Sequence, residues 1–278
     1  MNNNQSGSTE AISILQENLK VLIQDSKNQT IATRSRKKLE GEIRNIISEL
    51  SKLLNELDPI RQPTALFDPS NPKVVGRFVS LAMVAQSRHA LSGINPFYGS
   101  GVYAIYYTGK FKPYLPISKT ETPIYVGQAA PSISNARTPT EQGDKLSNRL
   151  IEHSKNISRA NSTLSLSDFE FRTLVVQSGW ETAAEDYLIH LFRPIWNSET
   201  QLVYGLGKHG DAATTRSNKR SPWDTMHPGR VWAGDAKLQD AKDLNKINSE
   251  LNNHFQNHPV FKNMDSLLLS FIEELKQI

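Results

Sequence analysis

The chain has 278 residues, 37% hydrophobic and 22% charged, with no cysteine and a net charge of +4 from 32 Lys+Arg against 28 Asp+Glu. That composition is ordinary for a globular protein, and the length suits one large domain or two modest ones. The missing thiols exclude disulfide scaffolds, thiolate zinc sites, iron–sulfur clusters and cysteine catalysis, and no apolar run approaches the ~20 residues a bilayer demands.

Residues 1–10 are polar and lack the pattern of a signal peptide, so a reducing, cytoplasmic setting is expected. Two helices are expected over residues 9–58. In the first, Ile12, Leu15, Leu19 and Leu22 recur at steps of three and four. In the second, Leu39, Ile43, Ile46, Leu50, Leu53 and Leu57 do the same, which makes a coiled-coil seam. The polar stretch between them carries Arg34, Arg36, Lys37 and Lys38, a run whose plain reading is a solvated face. Two such helices bury their stripes only against each other or against a partner. Pro59, Pro63, Pro69 and Pro72 then mark a linker. Asn71 as N-cap and Pro72 at the first helical position open a helix expected over residues 74–91.

Residues 99–107 and 123–126 are rich in β-branched and aromatic side chains and read as strands, joined by a turn-prone stretch, 108–122. A helix over 144–153, a third strand over 169–177 and a helix over 181–192 follow, the last ending before Pro194. Residues 196–232 are dense in Gly, Ser, Thr and basic residues, with little periodicity. Residues 235–278 read as helical again, finishing on Leu267, Leu268, Phe271, Ile272 and Leu275. An α+β fold is expected.

The polar residues able to do chemistry sit at definite places on that frame. Tyr103 lies in Gly101-Val102-Tyr103 on the first strand, and Tyr125 in Tyr125-Val126-Gly127 on the second. Arg149 and His153 are four apart and project from one helix face. Glu185 lies in the last of these helices, and Asn197 follows Arg193-Pro194-Ile195-Trp196. This ordered set resembles the GIY-YIG nucleases, with the two tripeptides standing for the two signatures. Residues 101–109, 191–197 and 221–230 are similar to the type II restriction endonucleases of that family that cut CCGCGG. The resemblance spans residues 67–233.

The resemblance implies a small three-stranded antiparallel sheet flanked by helices. Around it come an N-terminal helical hairpin or coiled coil (1–58), a linker and packing helix (59–98), the nuclease core (99–234) and a C-terminal helical extension (235–278). It implies Mg²⁺-dependent hydrolysis, with Mn²⁺ able to substitute, of double-stranded DNA at a GC-rich palindrome, CCGCGG. It further implies a homo-oligomer, a dimer at least and a tetramer if the N-terminal helices pair dimers. No membrane is involved, and a companion DNA methyltransferase in a bacterial cytoplasm is expected. Tyr103, Tyr125, Arg149, His153, Glu185 and Asn197 are the implied catalytic residues, with Glu185 as metal ligand. The stretch 108–122 is longer than in the shortest members and is expected to touch DNA. Lys110, Lys112, Lys119, Lys208, His209, Arg216, Lys219, Arg220 and Arg230 are the expected DNA contacts, with Arg137 and His227 as further candidates. Gln128 stands where some members carry Lys, so no role of that lysine carries over.

The residues' own chemistry agrees with this. Phosphodiester hydrolysis needs a nucleophile, a proton acceptor and cationic help for charge developing on phosphate. Arg149 offers a planar fork for phosphate oxygens. Glu185 is a lone carboxylate, and one carboxylate with phosphate and several waters is how Mg²⁺ is typically held. Tyr103 takes a proton from water only as phenolate, about a thousandth of it at pH 7. Arg149, the metal and His153 are each expected to lower that pKa, and a shift of about three units, ~4 kcal/mol, would suffice. His153 can instead accept the proton itself, so the base role stays open between the two. Glu181, one turn before Glu185, is the second choice of carboxylate. Asn197 has a plain reading as a turn residue. His190 is expected to be packed, and Trp180, Trp196, Trp223 and Trp232 to be core residues. Rival functions are a GIY-YIG nuclease of repair or homing type and a non-catalytic DNA-binding coiled-coil protein.

Overall fold

The computed structural model describes residues 4–28, 33–57, 60, 68–207 and 219–275, and the chain divides into two units, residues 1–66 and 67–278. In the first unit the three-and-four spacing produces two helices, α1 (Asn4–Asn28) and α2 (Thr33–Leu57). Most of their heptad residues stay solvent-facing, while Leu22 and Leu39 are half-buried. Ile12, Leu15 and Leu19 on α1, and Ile43, Ile46, Leu50, Leu53 and Leu57 on α2, are between 36% and 70% exposed. Of the linker prolines, Pro59 and Pro63 lie outside the described residues.

The second unit begins with α3 (Pro72–Val84). The Val75 N–H donates to the Asn71 carbonyl at 3.1 Å, so the helix starts at the Asn-Pro pair as expected. It stops seven residues earlier than its apolar spacing suggested. The reason is tertiary: the chain turns to lay the Arg88 guanidinium 4.0 Å from the Tyr106 ring centre and 2.9 Å from Glu121.

The remaining elements are β1 (His89–Ala90), β2 (Gly101–Tyr107), β3 (Tyr125–Ala129), α4 (Pro139–Gln142), α5 (Lys145–Arg159), β4 (Phe169–Val175), α6 (Glu181–Phe192), β5 (Lys219–Arg220), α7 (Pro222–Met226), β6 (Gln239–Asp240), α8 (Leu244–Asn257) and α9 (Met264–Leu275). The sheet runs β1-β4-β2-β3 and is antiparallel throughout. The three expected strands are neighbours in it, with β2 between β4 and β3. The two-residue β1 corrects the count to four, because His89 and Ala90 pair with Phe171 and Glu170. β5 and β6 make a separate two-residue parallel ladder.

Every residue of β2 is buried, because both faces of the sheet are covered. The alternation of side chains splits the core in two. Tyr103, Ile105 and Tyr107 face Leu146, Leu150 and Ile157 of α5, joined by Ile247 and Leu251 of α8. Val102, Ala104 and Tyr106 face α3 and α6, joined by Phe261, Leu267 and Phe271. Each fully buried Leu, Ile or Phe contributes roughly 1.5–3 kcal/mol of hydrophobic free energy. The C-terminal stretch is therefore two helices, one for each face. They separate at His258, whose extended φ −122° and ψ 139° suit a residue before Pro259. Among the described residues no helix is long and apolar enough to cross a membrane.

Candidate active site

Two glycines make room for the site. Gly101 opens β2 at φ +151°, and a Cβ there would lie 2.0 Å from the Leu174 carbonyl oxygen, so no side chain fits. Gly127 of β3 pairs directly with Tyr103 of β2. A Cβ on Gly127 would lie 2.4 Å from the Tyr103 hydroxyl oxygen, so the glycine of the second tripeptide is the space into which the tyrosine of the first extends.

From there the Tyr103 hydroxyl lies 2.8 Å from His153 Nε2. Both side chains are buried, at 1% and 0% exposure. The Tyr125 ring completes a cluster, with its centre 4.9 Å from His153 and 6.2 Å from Tyr103. α5 can place His153 there because its apolar face, Leu146, Leu150 and Ile157, packs on the same side of the sheet. Arg149, one turn earlier, keeps its side chain 45% exposed and puts Nη1 3.0 Å from Glu152 Oε2. Burial opposes its charge, but Tyr103 and Glu152 outweigh that and raise its pKa.

Burial pushes the Tyr103 phenol well above its ordinary value, and Tyr125 acts in the same direction; Arg149 pulls it down without prevailing. Burial thus opposes the expected lowering of the Tyr103 pKa: the hydroxyl sits in the dry interior, where a phenolate is poorly solvated. Tyr125 is raised as well, first by burial and then by Glu185.

Glu185 projects from α6 beside the end of β3. Its carboxyl is pushed up to about 7, chiefly by burial; Gln128 opposes the rise through hydrogen bonds from its side chain and backbone, while Glu199 and Asp186 add to it. None of those neighbours is a cation. Gln128 Nε2 also donates to Thr182 Oγ1 at 3.3 Å. The second-choice carboxylate is engaged elsewhere. Glu181 accepts the Gly179 N–H at 2.7 Å and the Ser100 hydroxyl at 3.3 Å.

Asn197 is brought to the site's frame rather than to its centre. Its Oδ1 accepts the Val126 N–H and its Nδ2 donates to the Val126 carbonyl, both at 2.9 Å. Both ends of the amide are used in holding β3, the strand of Tyr125.

The expected DNA contacts divide. Lys110, Lys112, Lys119, Lys219 and Arg137 are exposed. Lys208, His209 and Arg216 lie outside the described residues. Arg230 is corrected: it is 2% exposed, pairs with Asp224 at 2.6 Å and donates to the Leu206 and Gly205 carbonyls. Arg220 is largely occupied by the Ala233 carbonyl and Asp240. His227 is also corrected, since it is fully buried between the Tyr114 and Thr163 hydroxyls. Tyr114 shows that part of the stretch 108–122 is core, not DNA-facing loop. His190 is exposed rather than packed, and Trp180 is 40% exposed, whereas Trp196 and Trp223 are core.

Sequence reasoning missed Glu152, signalled only by its i+3 spacing from Arg149, and Glu199, which acts on both Tyr125 and Glu185. The family model for the Eco29kI GIY-YIG domain matches residues 95–255. The chain belongs to this family. The match takes in β2, β3, α5, β4 and α6, and so every member of the Tyr103–His153 cluster. A comparison with curated proteins finds no match. The four-stranded antiparallel sheet with its flanking helices is the α+β fold of a GIY-YIG nuclease of the Eco29kI restriction endonuclease family, and DNA is its substrate.

GIY-YIG nucleases generally use divalent metal ions, and the residues here fit one. Glu185 is a partly buried carboxylate whose pKa is raised chiefly by burial, and a bound cation would offset that cost. Among the described residues no three His, Asp or Glu side chains cluster to hold a metal. An ion at Glu185 would thus take one protein carboxylate and fill its shell from water and phosphate.

Proposed function

We propose that this protein is a type II restriction endonuclease that hydrolyses both strands of double-stranded DNA at a GC-rich palindrome, CCGCGG, with Mg²⁺ or, in its place, Mn²⁺. The observation that carries the reading is the 2.8 Å contact between the Tyr103 hydroxyl and His153 Nε2, inside the family-matched segment and under the electrostatic influence of Arg149 and Glu185.

Water reaches the cluster between Tyr125 and Arg149, its partly exposed members. It gives a proton to the Tyr103 oxygen as the Tyr103 proton passes to His153 Nε2, leaving a neutral tyrosine and an imidazolium. The hydroxide attacks phosphorus and the bond to the leaving oxygen breaks. A relay of this kind needs no standing phenolate, which the burial of Tyr103 disfavours. Tyr125 holds the Tyr103 hydroxyl, and Arg149 grips a non-bridging phosphate oxygen. A Mg²⁺ held by Glu185 would stabilise charge developing on the scissile phosphate and the leaving oxygen.

One such site holds one phosphate, so cutting a palindrome calls for at least two subunits about a two-fold axis. We assign residues 1–58 to oligomerisation, 59–98 to support of the core, 99–234 to the nuclease and 235–278 to a helical extension. Pairing of dimers through α1 and α2 would give a tetramer. A companion DNA methyltransferase would protect host DNA in the bacterial cytoplasm. Plasmids with and without a CCGCGG site, incubated with the protein and Mg²⁺, test the reading. Discrete fragments from the first alone are expected. Unspecific nicking of both would point to a repair-type duty, and binding without cutting would remove the enzyme.

A further inference from the structure

Arg149 is already engaged in the free protein. Glu152, three residues on along α5, sets Oε2 3.0 Å from Nη1, and its side chain is only 25% exposed. An exposed i,i+3 ion pair ordinarily matters little. This one differs in being partly buried and in sharing its arginine with Tyr103 and Tyr125, both of which act on the guanidinium. A carboxylate presents two oxygens to a guanidinium in the same fork geometry as the non-bridging oxygens of a phosphodiester. A DNA backbone arriving at Arg149 therefore meets a neutralised cation with a like charge beside it.

We propose that Glu152 is a specificity-determining residue: an internal stand-in for phosphate that keeps Arg149 from gripping any passing DNA backbone. Seating the phosphate on Arg149 requires Glu152 to give way. Base contacts in a recognition complex supply the free energy for that exchange, and a random sequence does not. The inference rests on Arg149 as the phosphate clamp.

Glu152→Gln and Glu152→Asp test it in the full-length protein. Gln keeps the shape and loses the charge. Asp keeps the charge but is one methylene short of Arg149. Both variants should bind a short non-cognate duplex about three- to ten-fold more tightly, measured in Ca²⁺ to suppress cleavage. Both should nick plasmid lacking the recognition site faster than wild type while cutting cognate plasmid at least as fast. Unchanged non-cognate binding in both variants overturns the proposal. So does tightening in Glu152→Gln alone, which would report net charge, or a shared loss of cognate cleavage, which would make Glu152 a support for Arg149. Arg149→Ala is the control for the underlying reading: wild-type cutting there removes the clamp itself. An inactive Arg149→Ala beside wild-type behaviour of both Glu152 variants removes only the stand-in.

Discussion

Tyr103 and Glu185 both respond to burial by holding their protons more firmly. In the proposed relay, burial keeps the Tyr103 proton on until His153 takes it; at Glu185, burial raises the carboxyl toward neutrality. Tyr103→Phe removes only the hydroxyl and should cost roughly 10²–10⁴ in single-turnover cleavage with DNA affinity unchanged. A near-normal rate would mean that His153 meets the water directly. Glu185 ionises near pH 7 in the folded chain against 4.5 for an ordinary glutamate. The unfolded chain therefore gives up this proton first as pH rises, so the stability linked to it is present below about pH 4.5, lost up to about 7 and constant above. Glu185→Gln, which never ionises, should gain roughly 1–2 kcal/mol over wild type at pH 8 and nothing at pH 4, while losing cleavage. Denaturant melts at the two pH values check this, and an equal difference at both would show that Glu185 is not desolvated. At this scale the shared helix face of Arg149 and His153 followed from their spacing, whereas the set Tyr103, Tyr125, Arg149, His153 and Glu185 was picked out by its order along the chain, which carries the family resemblance. Arg230 was not. Its partner Asp224 is only six residues away, yet nothing in the local pattern shows the two pairing in the core.

Elements bounded by their own punctuation were the readable ones. α6 spans Glu181–Phe192 as read, because Pro194 follows and Arg193 takes the left-handed φ of +46° that closes the helix. α3 and the C-terminal stretch were overextended. In the first a tertiary arginine–tyrosine contact overrides apolar spacing; in the second His258-Pro259 breaks a run that periodicity alone would continue. The segment 108–122 was read as a DNA-facing insertion, but Tyr114 locks it to α7 through His227 and to the core through Trp196 Nε1 at 2.9 Å. Burial pushes His227 down to about 3. Its stability contribution is thus present above about pH 6.5 and lost as pH falls, by about 1.4 kcal/mol per unit. His227→Gln should flatten the acid limb of stability between pH 6 and 4, after an initial cost of about 1–3 kcal/mol from weakened bonds to Tyr114 and Thr163. An unchanged acid slope in urea melts would place the titrating group elsewhere.

For the whole molecule, the division at residue 66 separates a unit with a core from one most of whose heptad residues face solvent. Two amphipathic helices with apolar stripes in water are an incomplete structure. Removing residues 1–66 should lower the oligomer mass by more than the deleted residues account for, and leave a nuclease that still cuts. Leu50→Asp with Leu53→Asp should do the same in the full chain. Light scattering decides the matter: the same number of subunits before and after either change would make the helices private to one subunit.

The grip of Asn197 on Val126 also bears on solubility. β3 is the outer strand of the sheet, and an outer strand offers unpaired N–H and C=O groups on which a second chain can build. One side-chain amide closes that ladder where a neighbouring strand would otherwise be needed. Asn197→Ala should therefore yield a protein that is not only slower but prone to self-associate edge to edge. Turbidity and thioflavin fluorescence should rise with concentration for Asn197→Ala and stay flat for wild type, and an Asn197→Ala protein as soluble as wild type would show that the edge is guarded by other means.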